Sequence, residues 1–470
     1  MFLPKIKYFT AGSNHGYEDK HEKFAAAGCD VYVTVHALPN PQTTIYLADA
    51  ALIKEVTNNR AKFPKPVHHY GVLSFYGDNI VASEGEQWKK YRKIAAPAFS
   101  ERNYSLVWDE TLDIVRGLCD DHWKGRETVE VDNFVDIALA MTLYVISGAG
   151  FGKKISWKDD TELPEGHLMS FKDSMRVVTA DITLKIACPD WMMNFTKRLR
   201  RAKLAFKELR EYMVEMIEER QKSDNTNRHD LFTGLLRENK SVFESSMLTD
   251  DELIGKTYLA ETGRHATTGH TLAFTFGLLA LYPEAQDKVL AEIRSIVPDG
   301  KEPSYSDMNR MRYTLALLNE SMRMHPVITH IPKTPFEDTT LVTTNANGEK
   351  VTVPVPAGTD INILTAGLHY NPRYWDDPHT FKPERFLKDW PRDAFMPFSA
   401  GPRACLGRKF FETEAIATVV MLVSRYKITV MEEPKFAGET FEQRKARVMA
   451  CDRYITTVPT KIPLVFTRRT

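Results

Sequence analysis

The sequence predicts a mainly α-helical fold with a small β-sheet region. Three observations carry this: several long stretches repeat apolar residues at the helical period, one of them about thirty residues long. Period-two alternation is confined to short segments near the start and late in the chain. Neither repeats nor low-complexity tracts interrupt the pattern. The length of 470 residues alone suggests about three domains on the prior of ~150 residues each. No linker supports that division, so the expectation is one large domain over 1–470.

Residues 31–36 (VYVTVH) and 44–47 (TIYL) alternate in the strand manner around the turn-rich ALPNPQT and predict a hairpin. ADAALIKEVTNN then predicts a short helix. Helical patterns follow over 104–123, 131–149 and 200–222, the last long and charged. The stretch from LTDDELIGK to LYPEA has an acidic start and a terminating proline at Pro283, and predicts a helix crossing the whole domain. Further helices are expected over 284–296, 312–324 and 408–425. Strand-like EKVTVPVPAGTDIN lies before a long irregular Pro-, Asp- and Trp-rich segment over 370–395, and the end is strand-like.

Hydrophobic residues make up 43% and charged residues 26%, an ordinary globular composition, and the formal net charge is zero, which gives no electrostatic footprint for nucleic acid. Five cysteines, Cys29, Cys119, Cys188, Cys405 and Cys451, lie far apart, so neither a disulfide framework nor a structural zinc site is expected. MFLPKIKYFT is too short and charged for a signal peptide, and no stretch reaches the roughly 18 apolar residues of a spanning helix. The expectation is a chain without an integral anchor, soluble or shortened at its N-terminus.

Cys405 stands out in FSAGPRACLG (Phe398–Gly407), at the mouth of a predicted helix whose free N–H groups favour a thiolate. Gly401 and Gly407 allow a tight turn and close approach to a flat ligand, Arg403 offers a partner for an anion, and Phe398 a shield from water. A core cysteine explains neither the glycines nor the arginine. A nucleophile needs a basic partner, and none is local. A lone metal ligand suits a metal already held by a macrocycle, as in thiolate-ligated haem.

The stretch resembles the haem-binding loop F-x-x-G-x-R-x-C-x-G of the cytochrome P-450 monooxygenases. Glu320-Ser-Met-Arg323 resembles the E-x-x-R of that family, FKPERF (Phe381–Phe386) its P-E-R-F, and Trp88-Lys-Lys-Tyr-Arg92 its W-x-x-x-R. The order matches from about residue 20 to the end, and LHYNPRYWDDPHTFKPERF looks most like membrane-associated fungal members. The resemblance implies the cytochrome P-450 fold with its long helix over the haem, haem b (iron protoporphyrin IX) ligated by Cys405, and propionates held by Trp88, Arg92 and Arg403. It also implies a buried network of Glu320, Arg323 and Arg385 below the haem. His325 and His330 read as turn or packing residues rather than ligands.

On the long helix the family's A-G-x-[DE]-T-T falls on Gly263 to Thr268. The resemblance makes Thr267, with Thr268, the proton-handling alcohol. Ala266 replaces the acid and Arg264 a small residue, so protons must come from water, His265, Thr268 or elsewhere, or the chemistry is altered. VHHYGVLSFYGDNIV, CPDWMMNF and VITHIP imply a lipophilic pocket, with DWMMNF a candidate for peripheral membrane contact. Lys89, Lys90, Arg92, Lys93, Arg408 and Lys409 imply a docking face for an acidic electron donor. With no reductase domain in the chain, the implied donor is NADPH-cytochrome P-450 reductase, with cytochrome b5 a second candidate, on the cytosolic face of the endoplasmic reticulum.

The expected activity is mono-oxygenation of a lipophilic compound by dioxygen, in secondary metabolism or xenobiotic oxidation. A haem-thiolate isomerase, dehydratase or peroxide-dependent enzyme is the alternative, and a haem-based sensor or carrier the reading from another class.

Overall fold

The computed structural model describes residues 15–36, 41–74, 76–158, 163–222, 228–241, 247–298, 301–453 and 456–469. Helices build most of the core, among them Glu101–Gly117, Phe134–Val145, Lys197–Lys222, Asp250–Leu281, Arg312–Met324 and Arg408–Arg425. The longest, Asp250–Leu281, has 32 residues and spans about 48 Å. Its start is a capping box: Thr249 Oγ1 accepts the Glu252 N–H at 3.2 Å, and Glu252 returns the bond to the Thr249 N–H at 2.9 Å. Pro283, expected as a terminator, also opens the next helix, Pro283–Ile296, because its missing N–H is free of cost at a first-turn position.

The long helix lies closest to Phe134–Val145. Gly269 makes the approach possible: a Cβ there would stand 2.9 Å from Leu139 Cδ2. Helix Arg408–Arg425 is buried on nearly every face, from Phe410 to Val423. It therefore lacks an amphipathic stripe and is identified by what precedes it.

The expected hairpin is Val31–His36 with Gln42–Leu47, in the register Val31↔Leu47. Gln42–Leu47 runs parallel to Asp360–Leu364, which pairs in turn with His330–Lys333 in a four-stranded sheet. Thr339–Thr344 and Lys350–Val355 form a separate hairpin. Several elements escaped the sequence, helices Phe171–Ala180 and Leu231–Ser241 among them, and two show why. Strand Thr128–Val131 is four residues long and exists because it pairs with Leu464–Arg468, far along the chain. Helix Phe441–Val448 buries only Val448, so it has no apolar period; its signal is the Thr440–Gln443 capping box.

The predicted boundaries over 104–123 and 131–149 shift for local reasons. Ser100 and Asn133 cap the two helices earlier and later than the apolar pattern suggests. Both then end in wider π-type turns, over Leu118–His122 and Ile146–Gly150. The irregular segment 370–395 mixes exposed residues with anchors: Trp375, Phe386 and Ala394 are buried, and short turns fold it against Arg312–Met324.

Candidate active site

A cavity of ≈ 450 Å³ lies beside the long helix. Cys405, Phe398 and Gly407 border it from one side, and Thr267, Thr268 and Thr271 from another. Trp88, Arg92 and Arg403 line the same space. Sequence positions from 65 to 411 thus converge on one hollow, whose other walls include Phe99, Leu231, Leu235, Val327 and Ile328.

The cysteine loop is fixed by its backbone. The Cys405 N–H donates to the Phe398 carbonyl at 2.9 Å, and Ser399 and Gly401 take φ of 61° and 65°. The first helical residue is Arg408, with Gly407 as its cap, where the 408–425 reading places it. Cys405 is exposed toward the cavity, and Phe398 packs on Phe411 at 5.5 Å. Gly401 needs correction: it is not there to admit a flat ligand. A Cβ at this position would stand 2.6 Å from the Thr57 carbonyl, so the glycine lets the loop pack on helix Ala50–Asn58.

Arg403 is already engaged. It pairs with Glu84 Oε2 at 2.6 Å and donates to the Ser83 and Ile80 carbonyls, yet its Nε is buried without a hydrogen bond. Arg92 donates to the Ala404 carbonyl at 3.2 Å. Burial lowers the Arg92 pKa, and the neighbouring Cys405 works in the opposite direction. Trp88 is ringed by guanidinium groups: Arg60, Arg403 and Arg92 lie 4.4, 4.5 and 5.7 Å from its ring.

Three cations here were missed by sequence reasoning: Arg60, Lys65 and Lys333. Arg60 Nη1 is buried without a hydrogen bond, and its nearest carboxylate oxygen, on Glu84, is 3.7 Å away. Burial pulls Lys65 down to about 7, helped by Arg403 and Lys333, and Lys333 down to about 8, helped by Arg403 and Arg60 against the opposing pull of Glu84. At Glu84 burial opposes the charge, but the Lys65 N–H and Arg403 outweigh it and the carboxyl lies below its usual range. No local motif marks these three residues; only the fold assembles them.

Below the loop, Glu320 and Arg323 are both fully buried and bind side by side, Arg323 Nε to Glu320 Oε2 at 2.7 Å and Nη2 to Oε1 at 2.9 Å. Arg385 Nε reaches Glu320 Oε1 at 3.1 Å, and the Lys382 N–H reaches the same oxygen at 2.9 Å. Arg323 also donates to the His369 and Pro378 carbonyls. His369 Nε2 accepts the Met396 N–H at 3.0 Å, so Nδ1 carries the proton and donates to the Arg323 carbonyl. Burial holds this ring neutral, with a pKa of about 3. The three expected residues thus meet in one network that reaches, through His369, the segment leading into the cysteine loop.

His325 is buried, stacked on Phe274 at 4.7 Å and bonded through Nδ1 to the Tyr17 hydroxyl at 2.6 Å, a packing role as expected. His330 lines the cavity and bonds Thr329 Oγ1 at 3.0 Å. On the long helix, Thr271 Oγ1 donates to the Thr267 carbonyl and Thr275 Oγ1 to the Thr271 carbonyl, each at 2.8 Å. Thr271 is a cavity residue the motif did not flag. The side chains of Arg264 and His265 lie outside the described residues.

The donor set fits haem b. One cysteine faces the cavity, four cations (Arg60, Lys65, Lys333 and Arg403) gather around Glu84 with Arg92 beside them, and two buried guanidinium nitrogens lack hydrogen bonds, which suits a ligand with a thiolate-seeking metal and two carboxylates.

Comparison with known proteins gives the same answer. The family model for Cytochrome P450 matches residues 16–449. The chain is 48% identical to cytochrome P450 monooxygenase 124 of Postia placenta, over all of this chain and 91% of that protein. It is 28% identical to cyclooctat-9-en-7-ol 5-monooxygenase of Streptomyces melanosporofaciens, over 80% of this chain and 78% of that one. The fold superimposes on the crystal structure of the cytochrome P450DA heme domain with a TM-score of 0.79 at 21% identity, covering 99% of this chain and 97% of that one. The cavity with its cysteine, cations and threonines lies inside the matched region, and the chain belongs to the cytochrome P450 family of haem-binding oxidoreductases.

Proposed function

We propose that this chain is one haem-thiolate unit that inserts an oxygen atom of dioxygen into a lipophilic small molecule, drawing electrons from NADPH-cytochrome P-450 reductase. The observation that carries the reading is the convergence of Cys405, the Trp88–Arg92–Arg403 cluster and Thr267 on one cavity. Cys405 would hold the haem iron, with Arg92 and Arg403 beside the propionates. When bound, haem supplies dioxygen activation, and its thiolate ligand favours O–O cleavage. The chain's own part is to present the Cys405 sulfur to the cavity, exclude water with apolar walls, and hold a proton at the Thr267 or Thr268 hydroxyl.

The test is spectral. The reduced protein with carbon monoxide should show the strongly red-shifted Soret band of thiolate ligation, and Cys405→Ser should lose it. A histidine-type spectrum in the unmodified protein overturns the assignment.

A second expectation concerns Ala266, where the family carries an acid. Ala266→Glu returns a carboxyl group beside Thr267 and should raise the product formed per NADPH consumed, roughly twofold or more, given the ~10²-fold worth of a well-placed proton donor. A fall in that ratio would mean another relay operates. Turnover without any reductant would favour the isomerase or peroxide-dependent reading.

Two surfaces support the partners. Lys93 and Lys409 form no ion pair among the described residues, while Lys89, Lys90 and Arg408 pair with Glu86, Glu252 and Glu412. This face suits an acidic reductase, or cytochrome b5. Trp191 and Phe195 are 64% and 65% exposed and stack edge to face at 5.5 Å, an apolar tip for peripheral contact with the endoplasmic reticulum membrane. No described helix is long and apolar enough to cross a membrane.

A further inference from the structure

His167 lies in the segment that leads into helix Phe171–Ala180. Its side chain is 3% exposed and meets helix Lys197–Lys222. Nδ1 stands 2.8 Å from Glu208 Oε2, and Nε2 stands 3.1 Å from each oxygen of Glu215. The ring lies flat on Tyr212, 3.7 Å away and 3° from parallel. Tyr212 adds two ties of its own: its hydroxyl donates to the Met169 carbonyl at 3.0 Å, and its ring meets Phe171 edge to face at 5.5 Å. None of these residues lines the haem cavity.

Two carboxylates on one imidazole leave a single protonation state that serves both. A neutral ring donates at one nitrogen and presents a lone pair at the other. In either neutral tautomer a carboxylate oxygen would face that lone pair, at 2.8 Å on one side or 3.1 Å on the other. The imidazolium donates at both ends. Glu215 is 61% exposed and is free to turn to water. Glu208 is 1% exposed and has no other hydrogen bond or ion pair among the described residues. A buried carboxylate without a counter-charge is costly, so Glu208 holds the second proton on the ring.

The other charges around the ring do not replace it. Glu211, on the same helix, brings a third carboxylate oxygen within 4.8 Å of a ring nitrogen, and pairs with Lys207 at 3.3 Å. Lys153, from the chain just after Ile146–Gly150, sits over the Tyr212 ring at 4.3 Å and the Phe171 ring at 4.9 Å. Glu165, on the segment of His167 itself, is exposed. Burial alone would lower the His167 pKa, but the bonds to Glu208 and Glu215 outweigh it and raise the pKa above its ordinary value.

We infer that His167 is a pH-sensitive latch: as the imidazolium it fastens the segment before helix Phe171–Ala180, and the start of that helix, to helix Lys197–Lys222, and on losing a proton it releases them. The two helices lead into and out of the exposed Trp191–Phe195 tip, so the latch sets how firmly that part of the molecule is held. The direction follows from linkage. Folding raises the pKa of the ring, so its contribution is complete below the unfolded value of about 6.5 and is lost as pH rises through the higher native value.

The experiment is hydrogen–deuterium exchange of the haem-loaded protein between pH 6 and 9, with rates corrected for the intrinsic pH dependence of exchange. Protection over 165–180 should fall about tenfold or more across that range, the equivalent of one pKa unit, and by more than in helix Arg408–Arg425. His167→Gln, whose amide donates from one end only, should start low at pH 6 and stay level. Glu208→Gln removes the buried charge, so a neutral ring satisfies both neighbours; protection should be retained and its pH dependence flattened. Level protection over 165–180 in the unmodified protein overturns the proposal, as does a dependence that is undiminished in either variant. A fall of equal size in helix Arg408–Arg425 overturns it too, because that is global unfolding and not the release of a latch. If His167→Gln does not fold, Glu208→Gln decides by the same criterion.

Discussion

Glu320→Ala should yield little folded, haem-loaded protein. Glu320 neutralises Arg323, which is fully buried, and accepts from Arg385 and the Lys382 N–H as well. Removing the carboxylate leaves a guanidinium in the core with carbonyl partners but no counter-charge, a loss of roughly 3–5 kcal/mol. Arg323→Ala removes the two closest charge-assisted bonds of Glu320, leaving it to Arg385 and the Lys382 N–H, and also frees the His369 and Pro378 carbonyls. The double variant should cost far less than the two single losses added, because the second partner is already stranded after the first. Arg385→Ala should be milder: its side chain is 9% exposed, and its other contacts are to the Asp376, Asp377 and Thr380 carbonyls at the solvent edge. The measurements are denaturant midpoint and haem bound per protein. Stable, fully loaded Glu320→Ala protein would reduce the network to an incidental ion pair.

Gly401→Ala is expected to cost haem retention as well as stability. Two effects add there. The residue sits at φ +65°, where a side chain costs ~1–2 kcal/mol. Its new Cβ would also meet the Thr57 carbonyl at 2.6 Å and the Asn58 Oδ1 at 2.9 Å, so the cysteine loop must lift from helix Ala50–Asn58. Gly358→Ala is the control: φ is +78° and nothing lies within 4 Å, so it has the strain without the clash. The Gly401 variant should lose haem on dilution at least several-fold faster than the Gly358 variant. Equal rates would place the cysteine independently of that helix contact.

Much of this site could be read in the sequence because its parts are local. Cys405, Gly407 and Phe398 fall within ten residues; Glu320 and Arg323 lie one helical turn apart; Trp88 and Arg92 do the same. Helices 312–324 and 408–425 also came out at their observed bounds. What could not be read is assembled by tertiary structure. Arg60, Lys65 and Lys333 come from turns and a strand with no shared pattern, and their chemistry appears only when burial brings them together. Gly401 shows the complementary limit. The sequence marks a glycine that must stay small, but only the packing says that its neighbour is the Thr57 carbonyl rather than the ligand.

The parallel pairing of Gln42–Leu47 with Asp360–Leu364 bears on how the chain is made. The early strand leaves the ribosome about 315 residues before its partner, so at ~5–20 residues per second it waits roughly 15–60 s with one edge unpaired. The pocket has the same schedule. Arg60, Lys65 and Trp88 are synthesised first, the long helix next, and Cys405 near the end. A growing N-terminal fragment therefore lacks the cysteine that would ligate haem. The nascent chain carries an open sheet edge and an incomplete hollow through most of its synthesis, which is the interval in which chaperones have the most to protect.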